Sequence, residues 1–132
     1  MEEQLQEKAV LVGLNITTNV KKIDDIDINE SMAELKELVK AAGAEVLASV
    51  IQNKPARDAA YFIGKGKVEE IRDYCHMLGA TMIVFNDELS GAHMRNIEDV
   101  TGLKVIDRTA LILDIFAQRA LSKEGKLQVE LA

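Results

Sequence analysis

Apolar positions along the chain fall into two kinds of segment, short continuous runs and longer stretches with helical spacing. Residues 8–14 (KAVLVGL) form a continuous apolar run, which is typical of a strand buried on both faces of a parallel sheet. Met32, Leu35 and Val39 instead recur three or four positions apart, as on the inner face of an amphipathic helix. The pattern therefore predicts strands that alternate with helices.

Residues that begin and end helices divide the rest of the chain. Ser31 with Glu34 has the spacing of a capping box, and Ser90 and Thr109 are typical N-caps. Glycines close several of the helical stretches. The predicted elements are, in order, a strand at 8–14, a helix at 31–42, a strand at 45–52, a short extended piece at 61–63, a helix at 67–77, a strand at 81–85, a helix between 90 and 102, a strand at 103–106 and a helix at 109–120.

This order predicts an α/β fold with a mainly parallel four-stranded sheet flanked by helices, in the sequence β-α-β-α-β-α-β-α. Residues 1–124 are expected to form this domain. Residues 125–132 begin a new patterned segment without a cap, which we interpret as the truncated start of a further helical segment.

Composition places the chain among soluble globular domains. It has 132 residues, of which 48% are hydrophobic and 29% charged, and this favours a single domain with a buried core. No apolar run has the roughly 18 residues needed to cross a bilayer. The single cysteine, Cys75, has no partner for an internal disulfide, so we expect a reducing, cytoplasmic location.

Charge is unevenly distributed along the chain. The formal net charge is −6 at pH 7, which argues against general binding to nucleic acid. Between residues 54 and 67, however, a single acidic residue stands among four basic ones. This basic segment consists of Lys54, Arg57, Lys65 and Lys67.

The basic segment contains a glycine loop, Gly64-Lys65-Gly66, before a predicted helix. Backbone N–H groups at such a loop, aided by lysines, suit a bound anion. The loop is not a P-loop, because Val68 follows Lys67 where a serine or threonine is required, and Glu69 occupies the third glycine position of a dinucleotide fingerprint. Two interpretations stay open, an anion-contacting loop and a turn that only starts a helix.

Polar residues also follow the third and fourth strands. Because ligands of open α/β sheets bind beyond the carboxyl ends of strands, these residues are a second candidate site. They are Asp87, Glu88, Asp107, Arg108 and Thr109. The alternative is structural, with Asp87 and Glu88 favouring a helix dipole and Arg108 pairing with Asp87 or Asp107.

Other reactive side chains predict neither a catalytic residue nor a metal site. His76 and His93 lack neighbours with metal-ligand spacing. Cys75 lies on the apolar side of its predicted helix, which indicates a buried structural thiol.

Several exact strings occur in order along the chain. They are IGKGKVEEI at 63–71, FNDELS at 85–90, RNIE at 95–98, VIDRT at 105–109, LDIFAQRA at 113–120 and EGKLQVELA at 124–132. Together they resemble the N-terminal domain of the HflX family of translational GTPases. Asn86 stands where an aspartate is common in that family, which leaves a role for this side chain open.

The resemblance implies a parent protein that continues into a helical hairpin and a GTPase domain, which would hold GTP and magnesium. It implies that the α/β domain docks on ribosomal RNA of the large (50S) subunit, influences the GTPase domain of the same chain, and acts in ribosome splitting or rescue. Without a P-loop, residues 1–132 should neither hydrolyse GTP nor hold a cofactor. Two alternatives remain, a domain that itself binds a purine nucleotide such as ATP, and a dimerisation module.

Overall fold

Four parallel strands form one sheet in the part of the chain that the structure, a computed structural model, describes, namely residues 6–18 and 27–117. The elements are β1 (Lys8–Ile16), α1 (Ile28–Ala41), β2 (Glu45–Lys54), α2 (Lys65–Leu78), β3 (Met82–Phe85), α3 (Gly91–Thr101) and β4 (Lys104–Asp107). Residues 108–117 are also helical and are called α4. The predicted α/β fold and the alternation of strands and helices are confirmed.

The strands lie in the order β2-β1-β3-β4. The chain passes from β1 to β2 on one side and then returns past β1 to form β3 on the other side. β1 pairs with β2 along its whole length, with one irregularity between Ala9 and Val10. Phe85, at the end of β3, lies opposite Val12 of β1 and Asp107 of β4. The connections thus reverse direction between β1 and β3, which is where open α/β sheets form ligand crevices.

Helices cover both faces of the sheet. Val10 and Val12 of β1 pack in one buried cluster with α2 and α3, whereas Ala9 and Leu11 pack in another with α1 and residue Leu111 of α4. Full burial of a valine or leucine side chain stabilises a fold by about 1.5–3 kcal/mol. The continuous apolar run of β1 is explained by this burial on both faces.

The first helix begins earlier than predicted. α1 starts at Ile28, and the carboxylate of Asp27 caps it by accepting a hydrogen bond from the backbone N–H of Asn29 at 2.9 Å. The predicted start at Ser31 is wrong, because the Ser31 hydroxyl accepts hydrogen bonds from the side chains of Asn86 and Arg108 instead. Asp27 is as good an N-cap as serine.

α2 begins at Lys65, two residues before its predicted start, so Lys65 and Gly66 lie in its first turn. Other helix ends agree better with the sequence. Ser90 caps α3, and its side chain accepts a hydrogen bond from the backbone N–H of His93, as predicted for an N-cap. Gly79 and Gly102 end α2 and α3 with φ of 77° and 70°, a left-handed conformation that favours glycine. The predicted strand at 103–106 is shifted by one residue, and α4 follows β4 directly.

Two further predictions have different outcomes. The extended piece at 61–63 is reduced to a single antiparallel bridge between Asp58 and Phe62. The predicted end of the last helix, the domain limit at 124 and the segment 125–132 lie outside the described residues.

The alkaline stability of the domain should depend on Cys75. The thiol is fully buried, and burial raises its pKa from 9.0 to about 11. Because the unfolded chain ionises first as the pH rises, the free energy of unfolding should fall by about 2 kcal/mol between pH 9 and pH 11. Urea titrations at a series of pH values would measure this fall. In Cys75→Ala the alkaline decline should be smaller by that amount, and an identical decline would contradict the assignment.

Candidate functional site

The carboxyl ends of the four strands meet at one edge of the sheet, because all strands are parallel. Lys54 ends β2, Asn86 and Asp87 follow β3, and Asp107 ends β4. The glycine loop begins α2 at the same edge, since it follows β2 after a short connection. The two candidate sites from the sequence therefore lie on one side of the molecule.

The end of β2 holds the glycine loop in place. The backbone N–H of Gly64 donates a hydrogen bond of 3.0 Å to the side-chain oxygen of Gln52. A β-carbon at Gly64 would lie 3.7 Å from the ammonium nitrogen of Lys54, so this lysine lies beside the loop. Lys65 and Gly66 are exposed, and Lys67 makes a long ion pair of 3.9 Å with Glu70.

The backbone angles of Gly64 and the open space around Gly66 do not require glycine within the described residues. Gly64 has φ of −64° and ψ of 144°, which other residues adopt readily. A β-carbon at Gly66 would meet no atom within 4 Å, and glycine in a helix costs up to about 1 kcal/mol relative to alanine. The glycine at position 66 therefore serves no packing purpose within the described part of the chain.

Arg57, the fourth member of the basic segment, contacts an aromatic ring in the turn before the glycine loop. Its guanidinium carbon is 5.7 Å from the centre of the Phe62 ring, a distance at which a cation and an aromatic ring attract each other. Phe62 has φ of 67°, an uncommon and strained conformation for a bulky residue. Asp58 supports this turn by accepting hydrogen bonds from the backbone N–H groups of Ala60 and Tyr61.

Helix α3 fastens the same turn from the other side. A ring nitrogen of His93 lies 3.0 Å from the carbonyl oxygen of Ala59. The side-chain amide of Asn96 donates a hydrogen bond of 2.8 Å to the carbonyl oxygen of Ala60. The His93 ring also packs edge-on against Phe62, with ring centres 5.7 Å apart. The turn is thus fixed by contacts to α3.

Asp87 and Glu88 lie in the loop between β3 and α3. One carboxylate oxygen of Asp87 accepts a long hydrogen bond of 3.4 Å from the backbone N–H of Leu14. Burial raises the pKa of Asp87, while that hydrogen bond and the charge of Arg57 lower it less strongly. Glu88 is exposed.

The structural alternative from the sequence was that Arg108 pairs with Asp87 or Asp107. In the structure Arg108 pairs with neither. Its guanidinium donates to a carboxylate oxygen of Glu34 and to the side-chain oxygen of Asn86, each at 2.9 Å. It also contacts the Ser31 hydroxyl at 3.2 Å. Arg108 therefore joins α4 to α1 and to the residue that follows β3.

Asp107 and Thr109 also differ from expectation. Asp107 is buried, and its two carboxylate oxygens accept hydrogen bonds of 2.9 Å from the backbone N–H groups of Leu89 and Ala110. Asp107 therefore caps α4 by accepting a hydrogen bond from a backbone N–H group of its first turn. The predicted cap at Thr109 is wrong, because Thr109 lies within α4 and is exposed.

An open cleft of about 450 Å³ lies at the carboxyl edge of the sheet, between the turn that carries Phe62 and the start of α3. Its volume is within the range of about 300–1,000 Å³ typical of ligand pockets. The cleft is lined by Arg57, Phe62, Asp87, Glu88, Leu89, Ser90 and His93. The structure thus brings one basic and two acidic candidates together in one cleft, whose lining does not include Asp107, Arg108 or Thr109.

Sequence reasoning missed several residues of this edge. Phe62 and His93 line the cleft, and Gln52 holds the glycine loop. The spacing of Ser90 and His93 is that of a capping box with histidine at its third helical position. This spacing was the sequence signal that could have placed His93 at the start of α3, beside the cleft.

Among the described residues there is no group of three or more acidic, histidine or cysteine side chains able to hold a metal ion. No helix in this part of the chain is long and apolar enough to span a bilayer.

Comparison with known proteins identifies the domain. A family model described as GTP-binding GTPase N-terminal matches residues 29–117. The chain is 46% identical over 127 residues to the GTPase HflX of Caldanaerobacter subterraneus, covering 96% of this chain and 28% of that protein. It is 45% identical over 126 residues to the GTPase HflX of Escherichia coli, with the same two coverages.

Solved structures show the same fold. The SsGBP and GDP complex has a TM-score of 0.63 and 24% identity, covering 96% of this chain and 33% of that one. A GTP-binding protein from Sulfolobus solfataricus in complex with GDP has a TM-score of 0.56 and 21% identity, covering 85% and 30%.

The fold and the family match define an N-terminal α/β domain of the GTP-binding GTPase class. The chain belongs to the HflX family of GTPases, as the strings in its sequence predicted. It spans 28% of the length of the two relatives described above.

Proposed function

We propose that this chain is the ribosome-docking and regulatory N-terminal domain of an HflX-type GTPase, and that its glycine loop contacts RNA of the large ribosomal subunit. The parent protein would bind GTP with magnesium in a separate GTPase domain of the same chain. It would act in the cytoplasm in the splitting or rescue of ribosomes.

The main support is the loop itself. Gly66 is exposed and has open space around it, so the described part of the chain gives no packing reason for a glycine there. Close approach of an external group to the backbone N–H groups at the start of α2 gives such a reason. Lys54 and Lys65 lie at the same place and add positive charge, which suits a phosphate.

The acidic remainder of the chain makes this contact selective. The net charge of −6 opposes nonspecific binding to RNA, so the basic segment is the stretch of the sequence best suited to approach a phosphate backbone. The charges would then orient the domain on the ribosome. Titrating the purified chain separately with large subunits, ATP and GTP tests the proposal, and we expect saturable binding to the subunit alone.

A size series at position 66 tests why glycine is there. Gly66→Ala and Gly66→Leu should each keep or raise the melting temperature, since both residues favour helix by up to about 1 kcal/mol over glycine. Affinity for the large subunit should nevertheless fall, and should fall further for leucine than for alanine. Thermal unfolding and sedimentation with subunits would measure the two effects. Equal affinities for all three chains would show that nothing approaches Gly66 closely.

A further inference from the structure

The cleft beside the glycine loop has spare hydrogen-bond acceptors. Within the described part of the chain, the Asp87 carboxylate accepts one hydrogen bond, and that bond is long at 3.4 Å. A carboxylate offers about four lone-pair sites, and a half-buried one gains most from further donors. Glu88 lines the same cleft. The cleft therefore suits a group that presents N–H donors.

One wall of the cleft is a flat, preorganised surface. The Arg57 guanidinium lies over the Phe62 ring, and its side chain is exposed, so one face of the guanidinium is available for stacking. Phe62 is held in turn by His93 and Phe85 through edge-to-face contacts. Unstacked bases of RNA bind to proteins by stacking on such guanidinium planes and by hydrogen bonds at their edges.

The charges around the cleft set the direction of a bound nucleotide. Phe62 is two residues from Gly64, so the cleft and the lysines of the loop are neighbours. Asp87 and Glu88 repel a phosphate, whereas Lys65 attracts one. A nucleotide would therefore place its phosphate on the loop and its base, which carries no charge, in the cleft.

We infer that the cleft accepts an unpaired guanine of the RNA on which the glycine loop docks, with Arg57 stacking on the base and Asp87 accepting its two edge donors. This inference rests on the proposed docking function. Guanine presents two adjacent N–H donors, N1–H and the 2-amino group, which match the two oxygens of a carboxylate. Adenine, cytosine and uracil each present one donor position on that edge.

Short single-stranded RNAs of uridine with one central guanosine, inosine or adenosine would test the base preference. Inosine lacks the 2-amino group and retains N1–H. Fluorescence anisotropy with the full chain should show guanosine binding about tenfold more tightly than the other two, as expected for loss of one good base contact. Equal affinities for the three RNAs would overturn the inference.

Two variants separate the contacts within the cleft. Asp87→Asn keeps an oxygen for the Leu14 N–H but presents a donor to the base, so the preference for guanosine over inosine should disappear. Asp99→Asn, which changes an exposed carboxylate near the other end of α3, should keep it. Arg57→Lys retains the charge but loses the plane, and should weaken guanosine binding without changing the salt dependence.

The docking function and the cleft can fail independently. Changing Lys65 and Lys67 together should reduce the salt dependence for every RNA and leave the guanosine preference intact. If that variant loses docking but the original chain shows no base preference, the inference about the cleft is wrong and the docking proposal stands. If the chain prefers guanosine but its docking does not depend on the lysines, the docking proposal is wrong and the base preference stands. Displacement of the RNA by N-acetyl-arginine amide at lower concentration than by guanosine monophosphate would overturn the inference in favour of a protein partner.

Discussion

Replacing both Lys65 and Lys67 by alanine should weaken binding to the large ribosomal subunit and flatten its dependence on salt. Each phosphate contact contributes about 0.7–0.9 to the slope of log affinity against log salt concentration. Loss of two contacts should lower the magnitude of that slope by about 1.5. The affinity ratio between the original and the double variant should then grow about tenfold between roughly 200 mM and roughly 50 mM salt.

A matched pair of lysines controls for net charge. Lys36 and Lys40 are exposed on α1, on the opposite face of the sheet from α2, and their replacement removes the same charge as the loop variant. The change at α1 should leave the salt slope near its original value. Circular dichroism should show both double variants folded, since the changed side chains lie outside the core. If the two double variants bind alike at every salt concentration, the loop has no specific contact with RNA.

Local features of the fold were readable from the sequence because their causes are local. β1 is buried on both faces, so its apolar run is continuous and needs no knowledge of its neighbours. Gly79 and Gly102 end helices in a conformation that favours glycine. Features of this kind predicted the four strands of the sheet and the helices that alternate with them.

The partner of Arg108 was not predictable because it depends on distant parts of the chain. Glu34 and Ser31 lie 74 and 77 residues away in sequence, and only the arrangement of α1 beside β3 and α4 brings them together. Ser31 and Glu34 have capping-box spacing, which suggested a local use for both. The tertiary contact took precedence over that local pattern.

The candidate site was predictable only in part. Its position beyond the strand ends and its basic segment follow from general rules for parallel sheets and from charge counts. The cleft depends on the positive φ of Phe62 and on the contacts that His93 and Asn96 make with the preceding turn. A sequence pattern does not encode such contacts between separate elements.

Asp107→Ala should destabilise the domain by about 3 kcal/mol. The carboxylate is buried and satisfies two backbone N–H groups, those of Leu89 and Ala110, at 2.9 Å each. Hydrogen bonds to charged groups contribute about 1.5–3 kcal/mol, and an unsatisfied buried donor costs about 1–3 kcal/mol. Asp107→Asn keeps one good acceptor, so its cost should be about half as large.

Urea unfolding would measure these costs, with Asp114→Ala as the control. Asp114 is exposed on α4, the helix whose first turn Asp107 satisfies, and its loss should change stability by no more than about 0.5 kcal/mol. The Asp107 variants should also loosen the loop that carries Asp87 and Glu88, since Leu89 is the point at which β4 holds that loop. Amide exchange at Leu89 should therefore accelerate more than exchange in β1 at equal global stability. An Asp107→Ala chain as stable as the original would show that water or neighbouring groups replace the carboxylate at both N–H groups.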